Sequence, residues 1–104
     1  MIIMDSNFIK EPNVTYINEE FFHLIKTING LTIFGVHILG RIDTEEKCYR
    51  TNNWFCNFYN VSISTIKKQL KILRDNNLIQ STGNNRKRCL ELTKDFKKKL
   101  NYDS

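Results

Sequence analysis

The sequence of 104 residues contains no alanine, one proline and four glycines, so it is neither collagen-like nor of low complexity. No apolar run approaches the ~18 residues that a membrane-spanning helix needs. The first residues also lack the charged start and long apolar core of a signal peptide. Hydrophobic residues make up 40% of the chain. We therefore expect one small domain with a single packed core and no membrane association.

Cysteine is present only as Cys48, Cys56 and Cys89, an odd number without a CxxC pair. Neither His23 nor His37 lies near them in sequence, so no zinc spacing is present. Scattered cysteines of this kind are typical of small apolar fillers in a reducing cytoplasm, with redox sensing as the alternative. We expect a cytoplasmic protein that holds neither a metal ion nor another cofactor.

Sequence features of an enzyme are also missing. There is no phosphate-binding glycine-rich loop. The two histidines have no catalytic partner at a recognisable spacing, and the acidic pairs at 19–20 and 45–46 resemble helix caps and loop charges. The sequence therefore predicts a protein without catalytic activity.

Positive charge, by contrast, is plentiful and unevenly distributed. The formal net charge is +5, but residues 1–66 carry −2 and residues 67–99 carry +8. A basic block of this kind favours a polyanionic partner, although a solvated surface is the alternative. Ile, Asn and Lys together account for 37 residues, and their codons are AT-rich. This composition indicates a gene from an AT-rich genome or mobile element.

The order of predicted elements divides the chain into an irregular arm, residues 1–17, and one domain, residues 18–104. Asn18 is predicted to cap a short helix, with a strand over 21–25 as the alternative. A firmer helix is predicted over 31–42, where Gly35 and Gly40 weaken the helix propensity but permit close packing. A polar connection over 43–47 and a short strand over 48–50 are predicted to follow.

The pattern is sharper after residue 50. Thr51 or Asn52 is predicted to cap one helix, Asn60 to end it in the left-handed conformation, and Ser62 to cap the next, which stops at residues 76–77. Strands over 78–81 and 86–92 flank a turn over 82–85 and predict a hairpin. Thr93 is predicted to cap a last helix that reaches residue 100.

Residues 52–92 resemble the winged helix-turn-helix family of small bacterial proteins. Residues 61–66, VSISTI, resemble the start of a recognition helix, and Leu70, Leu73, Leu78 and Ile79 resemble its exit into the wing. Two positions depart from the family, since Cys56 stands where alanine is usual and Asn60 where glycine makes the turn. The resemblance implies an α+β fold with a three-helix core, a β-hairpin wing, an N-terminal arm and a C-terminal helix.

The resemblance also implies double-stranded DNA as the partner, bound by a recognition helix over 62–76 and a wing over 82–88. The candidate DNA-binding residues are Ser62, Ile63, Ser64, Lys67, Lys68 and Lys71 on the helix and Asn84, Asn85, Arg86, Lys87 and Arg88 on the wing. Major-groove readout is expected from the helix. Among the wing residues, Arg86 and Arg88 are favoured over Lys87 for insertion into the minor groove.

Several of these residues have a structural alternative. Ser62 is interpreted first as a cap, and Ile63 either contacts a thymine methyl group or packs between helices. The lysines at 97–99 are interpreted as complements to a helix C-terminus, with phosphate contact as the alternative. Arg41 and Arg50 are further candidates for phosphate contact.

From the family resemblance and the composition, we expect a sequence-specific DNA-binding accessory protein of a Gram-positive plasmid or phage. A role at an origin of transfer, as a relaxosome component, or at an origin of replication is narrowly favoured over transcriptional repression. A winged-helix module that binds other proteins, including DNA-processing proteins, is the alternative from a different class. The β-type arm suits pairing across a two-fold axis, so a homodimer is expected.

Overall fold

The computed structural model describes residues 17–83 and 87–102. A 3₁₀ helix, Glu19–His23, continues into the short α1, and longer helices, a hairpin and a final helix follow. These elements are α1 Leu24–Thr27, α2 Ile33–Glu45, α3 Asn52–Tyr59, α4 Ile63–Asp75, β1 Ile79–Gly83, β2 Arg88–Leu92 and α5 Lys94–Lys99. Of the predicted arm, residues 1–17, only Ile17 belongs to the described residues.

Four helices begin where a side-chain oxygen accepts an otherwise unpaired backbone N–H. Asn18 accepts the backbone N–H of Glu20 at 2.9 Å, so the predicted helix is confirmed and the alternative of a strand over 21–25 is wrong. The other three caps are hydroxyl groups, and each accepts the N–H three residues ahead of it. Their oxygen–nitrogen distances are 3.1 Å at Thr51, 3.2 Å at Ser62 and 3.1 Å at Thr93.

The turn between α3 and α4 depends on Asn60, which has φ 55° and ψ 51°. Asparagine tolerates this left-handed conformation better than most residues, so it serves where the family usually has glycine. The backbone N–H groups of Asn60 and Val61 both donate to the carbonyl of Cys56. The chain therefore reverses within three residues and enters α4, as the sequence predicted.

The core lies between α2, α3, α4 and the hairpin. Phe55 on α3, Leu73 on α4 and Leu90 on β2 are all completely buried. Phe96 on α5 packs against Phe21 with ring centroids 5.7 Å apart, so the last helix closes the core against the first. Ile63, Ile66, Leu70 and Leu73 recur at helical spacing, which predicts one apolar face of α4. Ile66, Leu70 and Leu73 are buried as predicted, whereas Ile63 is exposed.

The two strands form an antiparallel hairpin in which Ile79 pairs with Leu92 and Gly83 with Arg88. The predicted hairpin is confirmed, but each strand begins or ends one or two residues away from the predicted position. The strand predicted over 48–50 is reduced to one residue. Cys48 exchanges two backbone hydrogen bonds with Leu90, at 2.9 and 2.8 Å, and forms an isolated bridge at the edge of the hairpin.

Helix α2 is shifted relative to the prediction, because Leu31 precedes it and residues 43–45 belong to it. The predicted polar connection at 43–47 is therefore mostly helix. Arg41 and Glu45 form an i,i+4 ion pair at 2.6 Å, which supports the added turn. The helix ends at Glu45, because the φ of 62° at Glu46 is incompatible with a further turn.

The element order, the core and the hairpin make this an α+β winged helix-turn-helix fold. Helices α2, α3 and α4 form the three-helix core, β1 and β2 form the base of the wing, and α5 is the additional C-terminal helix. Within residues 17–83 and 87–102, no helix is long and apolar enough to span a membrane.

Candidate nucleic-acid interface

The solvent face of α4 presents most of the residues proposed for the recognition helix. Its exposed side chains are Ile63, Ser64, Lys67, Lys68, Lys71, Arg74 and Asp75. Ile63 is 39% exposed, so the structure gives it a surface position rather than the alternative of packing between helices. Ser62 is exposed as well, but its hydroxyl oxygen accepts the Thr65 N–H and lies 3.0 Å from the Thr65 hydroxyl.

Negative charge is confined to the C-terminal end of this face. Asp75 is the one acid of α4, and its carboxylate lies 2.7 Å from the Lys71 ammonium. Both side chains are more than half exposed, so this ion pair contributes little to stability and exchanges readily for another partner. The first two turns of the helix, from Ile63 to Gln69, carry cations and no acid.

Arg88 lies at the start of β2 and is turned towards the protein. Its guanidinium donates to the Asn52 side-chain oxygen at 2.7 Å and to the Arg50 carbonyl at 2.7 Å. Partial burial lowers the pKa of Arg88, and the positive charge of Arg74 acts in the same direction. The side chain is therefore held beside the first residue of α3, a different setting from the wing tip that sequence reasoning assumed.

A groove of about 380 Å³ separates α4 from the first residue of α3 and the start of β2. It is lined by Asn52, Lys67, Leu70, Lys71, Arg74 and Arg88. Four of these six residues are cationic and none is acidic. Cations from α4 and from the start of the wing strand β2 thus meet at this groove.

The tip of the wing is only partly described. Asn84, Asn85 and Arg86 lie outside the described residues, and their proposed contacts with DNA stay predictions. Lys87 is exposed, and its ammonium lies 5.3 Å from the centre of the Tyr49 ring, a cation–π contact. Tyr49 is itself 50% exposed, so this pair forms part of the outer surface of the hairpin.

The proposed phosphate contact of Arg41 is wrong. Arg41 is 2% exposed, bound to Glu45 at 2.6 Å and 5.0 Å from the centre of the Trp54 ring. Arg50 shares the same carboxylate at 3.1 Å and lies 4.5 Å from that ring, but it keeps a third of its side chain exposed. Arg41 stabilises the junction of α2 and α3, and of the two only Arg50 is able to reach a ligand.

The aromatic residues of α3 belong mainly to this junction. Trp54 stacks on Phe58 with ring centroids 4.7 Å apart, and the Tyr59 hydroxyl donates to the carbonyl of His37 at 3.0 Å. The lysines at 97–99 occupy the last turn of α5, where they complement the helix dipole.

Three residues that matter to the interface were not in the predicted site. Arg74 and Gln69 were not assigned to the site, and Asn52 was considered only as a cap. Gln69 is 2% exposed on α4, where it accepts the N–H of Thr32 at 3.0 Å and donates to the carbonyl of Gly30 at 3.2 Å. Gln69 lies among the apolar positions that recur at helical spacing on α4, and this was the signal in the sequence that it would be buried.

The described residues contain no group of three or more His, Cys, Asp or Glu side chains able to hold a metal ion. The fold, the acid-free start of α4 and the cationic groove define a winged helix-turn-helix protein with one basic face.

A comparison with solved structures finds a protein of similar fold. The transcriptional regulator BldR from Sulfolobus solfataricus has a TM-score of 0.55 and 21% sequence identity, over 78% of this chain and 58% of its own. At this identity the likeness concerns the fold, and the chain spans little more than half of that regulator. No protein-family model and no curated protein matches the sequence.

Proposed function

We propose that the protein binds double-stranded DNA in a sequence-specific manner and regulates transcription, with α4 as its recognition helix. The observation that carries the proposal is the exposed, acid-free start of α4, which a short turn and a cap project from the core. An α-helix fits the major groove, and the residues at its N-terminal end are the ones that reach base edges.

The roles of individual residues follow from their chemistry. Ser64 and Lys68 offer hydrogen bonds to bases in the major groove, and Ile63 offers an apolar contact for a thymine methyl group. Lys67 and Lys71 neutralise phosphates, so the affinity should fall steeply as salt rises. Asn84, Asn85, Arg86 and Lys87 are proposed to follow the adjacent minor groove or backbone.

Regulation of transcription is favoured over the plasmid role because the solved neighbour is described as a transcriptional regulator. The plasmid and phage role, at an origin of transfer or replication, is supported by the AT-rich composition and by the resemblance to small bacterial winged-helix proteins. It remains a hypothesis about the process. Both roles require specific binding to duplex DNA.

A protein-binding module is the second candidate, and one observation favours it. Ile63 is 39% exposed at the start of α4, and an apolar side chain in that place also suits a protein partner. Such a module would bind DNA weakly, without regard to sequence, and lose the DNA at modest salt.

Footprinting on DNA that flanks the gene, combined with a salt titration, tests the proposal. We expect a protected site that persists at physiological salt, and two half-sites if the protein acts as the homodimer that we also propose. Lys68→Ala should weaken binding to the protected site, while Lys98→Ala on α5 serves as the charge-matched control. If the protein binds DNA but protects no site, and unrelated DNA competes as well as the flanking DNA, this function is excluded.

A further inference from the structure

We infer that the groove between α4, α3 and β2 binds a phosphate group, supplied in the complex by a backbone phosphodiester of the duplex. This inference rests on the proposed function. It assigns Arg88 to the DNA backbone instead of the minor groove, and it adds Arg74 and Asn52 to the site.

The first argument is the charge of the groove. Lys67, Lys71, Arg74 and Arg88 line one volume of about 380 Å³, and no carboxylate lines it with them. Within the described part of the chain, no acidic oxygen lies within 4.0 Å of Lys67, Arg74 or Arg88. Lys71 has Asp75 as its counter-charge, at 2.7 Å on the exposed side of α4. The other three cations have none among the described residues, so they repel each other, and a bound anion removes that repulsion.

The second argument is the way in which Arg88 is held. A guanidinium has five N–H donors. Arg88 donates one from each of its terminal nitrogens, at 2.7 Å to Asn52 and at 2.7 Å to the Arg50 carbonyl. Among the described residues nothing accepts the other three donors, and the side chain is already fixed by Asn52 of α3 and by the backbone at Arg50. A planar fork with its orientation set in advance is suited to the tetrahedral oxygens of a phosphate.

The position of the groove relative to α4 decides between backbone and base. Arg74 and Lys71 belong to the last two turns of the helix, away from the N-terminal end that is expected to reach the bases. Arg88 is recessed, because it is partly buried against α3. Side chains in this place meet the edge of a major groove, where phosphates lie, before they meet base edges.

The test uses Arg74→Gln, which alters an exposed side chain, and Arg88→Lys, which keeps the charge but loses the fork. We expect each variant to bind the specific duplex about tenfold more weakly. Arg74→Gln should also lower the slope of log K against log salt by about 1. Lys98→Gln is the control that removes a charge elsewhere, and thermal melting checks that each variant is folded.

A second measurement separates DNA from free phosphate. Inorganic phosphate is added to the wild type at constant ionic strength, and NMR follows the side-chain Nε–H signals of Arg74 and Arg88. We expect shifts that saturate with phosphate, are not produced by chloride, and vanish for Arg88 in the Arg74→Gln variant.

The outcomes distinguish the two proposals. If the wild type binds DNA specifically but both variants match it in affinity and salt slope, the phosphate site is overturned and the proposed function stands. If inorganic phosphate binds at these arginines while duplex DNA does not, the site stands for a free phosphorylated ligand and the proposed function fails. If the substitutions change neither the affinity for duplex DNA nor the NMR shifts caused by phosphate, the inference is overturned.

Discussion

The side-chain amide of Gln69 on α4 occupies the space that a Cβ atom on Gly35 of α2 would require. A methyl group built on Gly35 overlaps the Gln69 oxygen and one methyl group of Leu31. The amide is fixed there because it bonds to the backbone on both sides of Leu31, at Gly30 and Thr32. One buried polar side chain thus sets both the distance between α2 and the recognition helix and the path of the chain into α2.

Gly35→Ala is expected to destabilise the protein by about 1 to 2 kcal/mol. Overpacking of a core costs roughly 1–3 kcal/mol, and the better helix propensity of alanine offsets up to about 1 kcal/mol. Urea unfolding measures the difference. In a Gln69→Ala background the same substitution should cost less, because the overlapping amide is gone. An alanine variant as stable as the wild type would show that the amide yields freely.

Gln69→Leu should cost about 2 kcal/mol or more, because it leaves the Thr32 N–H and the Gly30 carbonyl without their partner. A buried polar group that loses its hydrogen bond costs about 1–3 kcal/mol. The matched control is Gln80→Leu on the exposed part of β1, which should change stability by less than about 0.5 kcal/mol. Equal effects at the two positions in urea unfolding would contradict this role of Gln69.

Ile63 should read the methyl group of thymine in the specific site. Replacing the contacted thymine by uracil removes one methyl group, and burial of such a group is worth about 0.8 kcal/mol, or roughly fourfold in affinity. Fluorescence anisotropy with the two duplexes measures this ratio.

In Ile63→Ser the ratio should fall to one, while stability stays close to that of the wild type because the side chain is already 39% exposed. Ser64→Ala is the neighbouring control, which should keep the preference for thymine. A wild type that does not distinguish the duplexes at any thymine would assign Ile63 to another role.

Stability should decrease above pH 9 because of Cys48. This side chain is completely buried, and burial raises the pKa of its thiol to about 11. Between the unfolded pKa near 9 and this value, the unfolded chain loses a proton that the folded protein keeps. The contribution of Cys48 to the free energy of unfolding is therefore fully present below pH 9. It is lost as the pH rises, by about 1.4 kcal/mol per pH unit.

Cys48→Ala removes this contribution, so its stability should fall less steeply than that of the wild type between pH 9 and 11. Tyrosine and lysine titrate in both proteins and cancel in the comparison. Thiol labelling at pH 8 gives an independent check. Cys56, which is half-buried, should react before Cys48, and equal rates in the folded protein would argue against the buried thiol.

Local features of the fold were predictable because each depends on a few neighbouring residues. The caps at Asn18, Thr51, Ser62 and Thr93 need only an oxygen acceptor ahead of a helical segment, and the left-handed turn needs only Asn60. The spacing of Ile63, Ile66, Leu70 and Leu73 predicted one apolar face of α4 for the same reason, and the last three are buried whereas Ile63 is exposed. The basic character of the opposite face, which carries no acid before Asp75, was equally visible in the sequence.

Tertiary structure decided which cations are accessible at the surface and which are held by other groups of the protein. Arg41 and Arg88 were both candidates for contact with DNA, yet one is buried against Glu45 and the other is held by Asn52 and a carbonyl. The residues that Arg88 contacts are 36 and 38 positions away, and no local pattern encodes such a meeting.

By itself, the sequence determined the order of the elements from α3 to α5, the capped start of α4 and the excess of positive charge in the second half. These properties follow from backbone hydrogen bonding and from periodicity over one or two turns. Only the tertiary structure decided that four cations share one groove, that Gln69 joins α4 to the entry of α2, and that Arg41 is unavailable to DNA. Each depends on distances between elements, which are set by how the whole core packs.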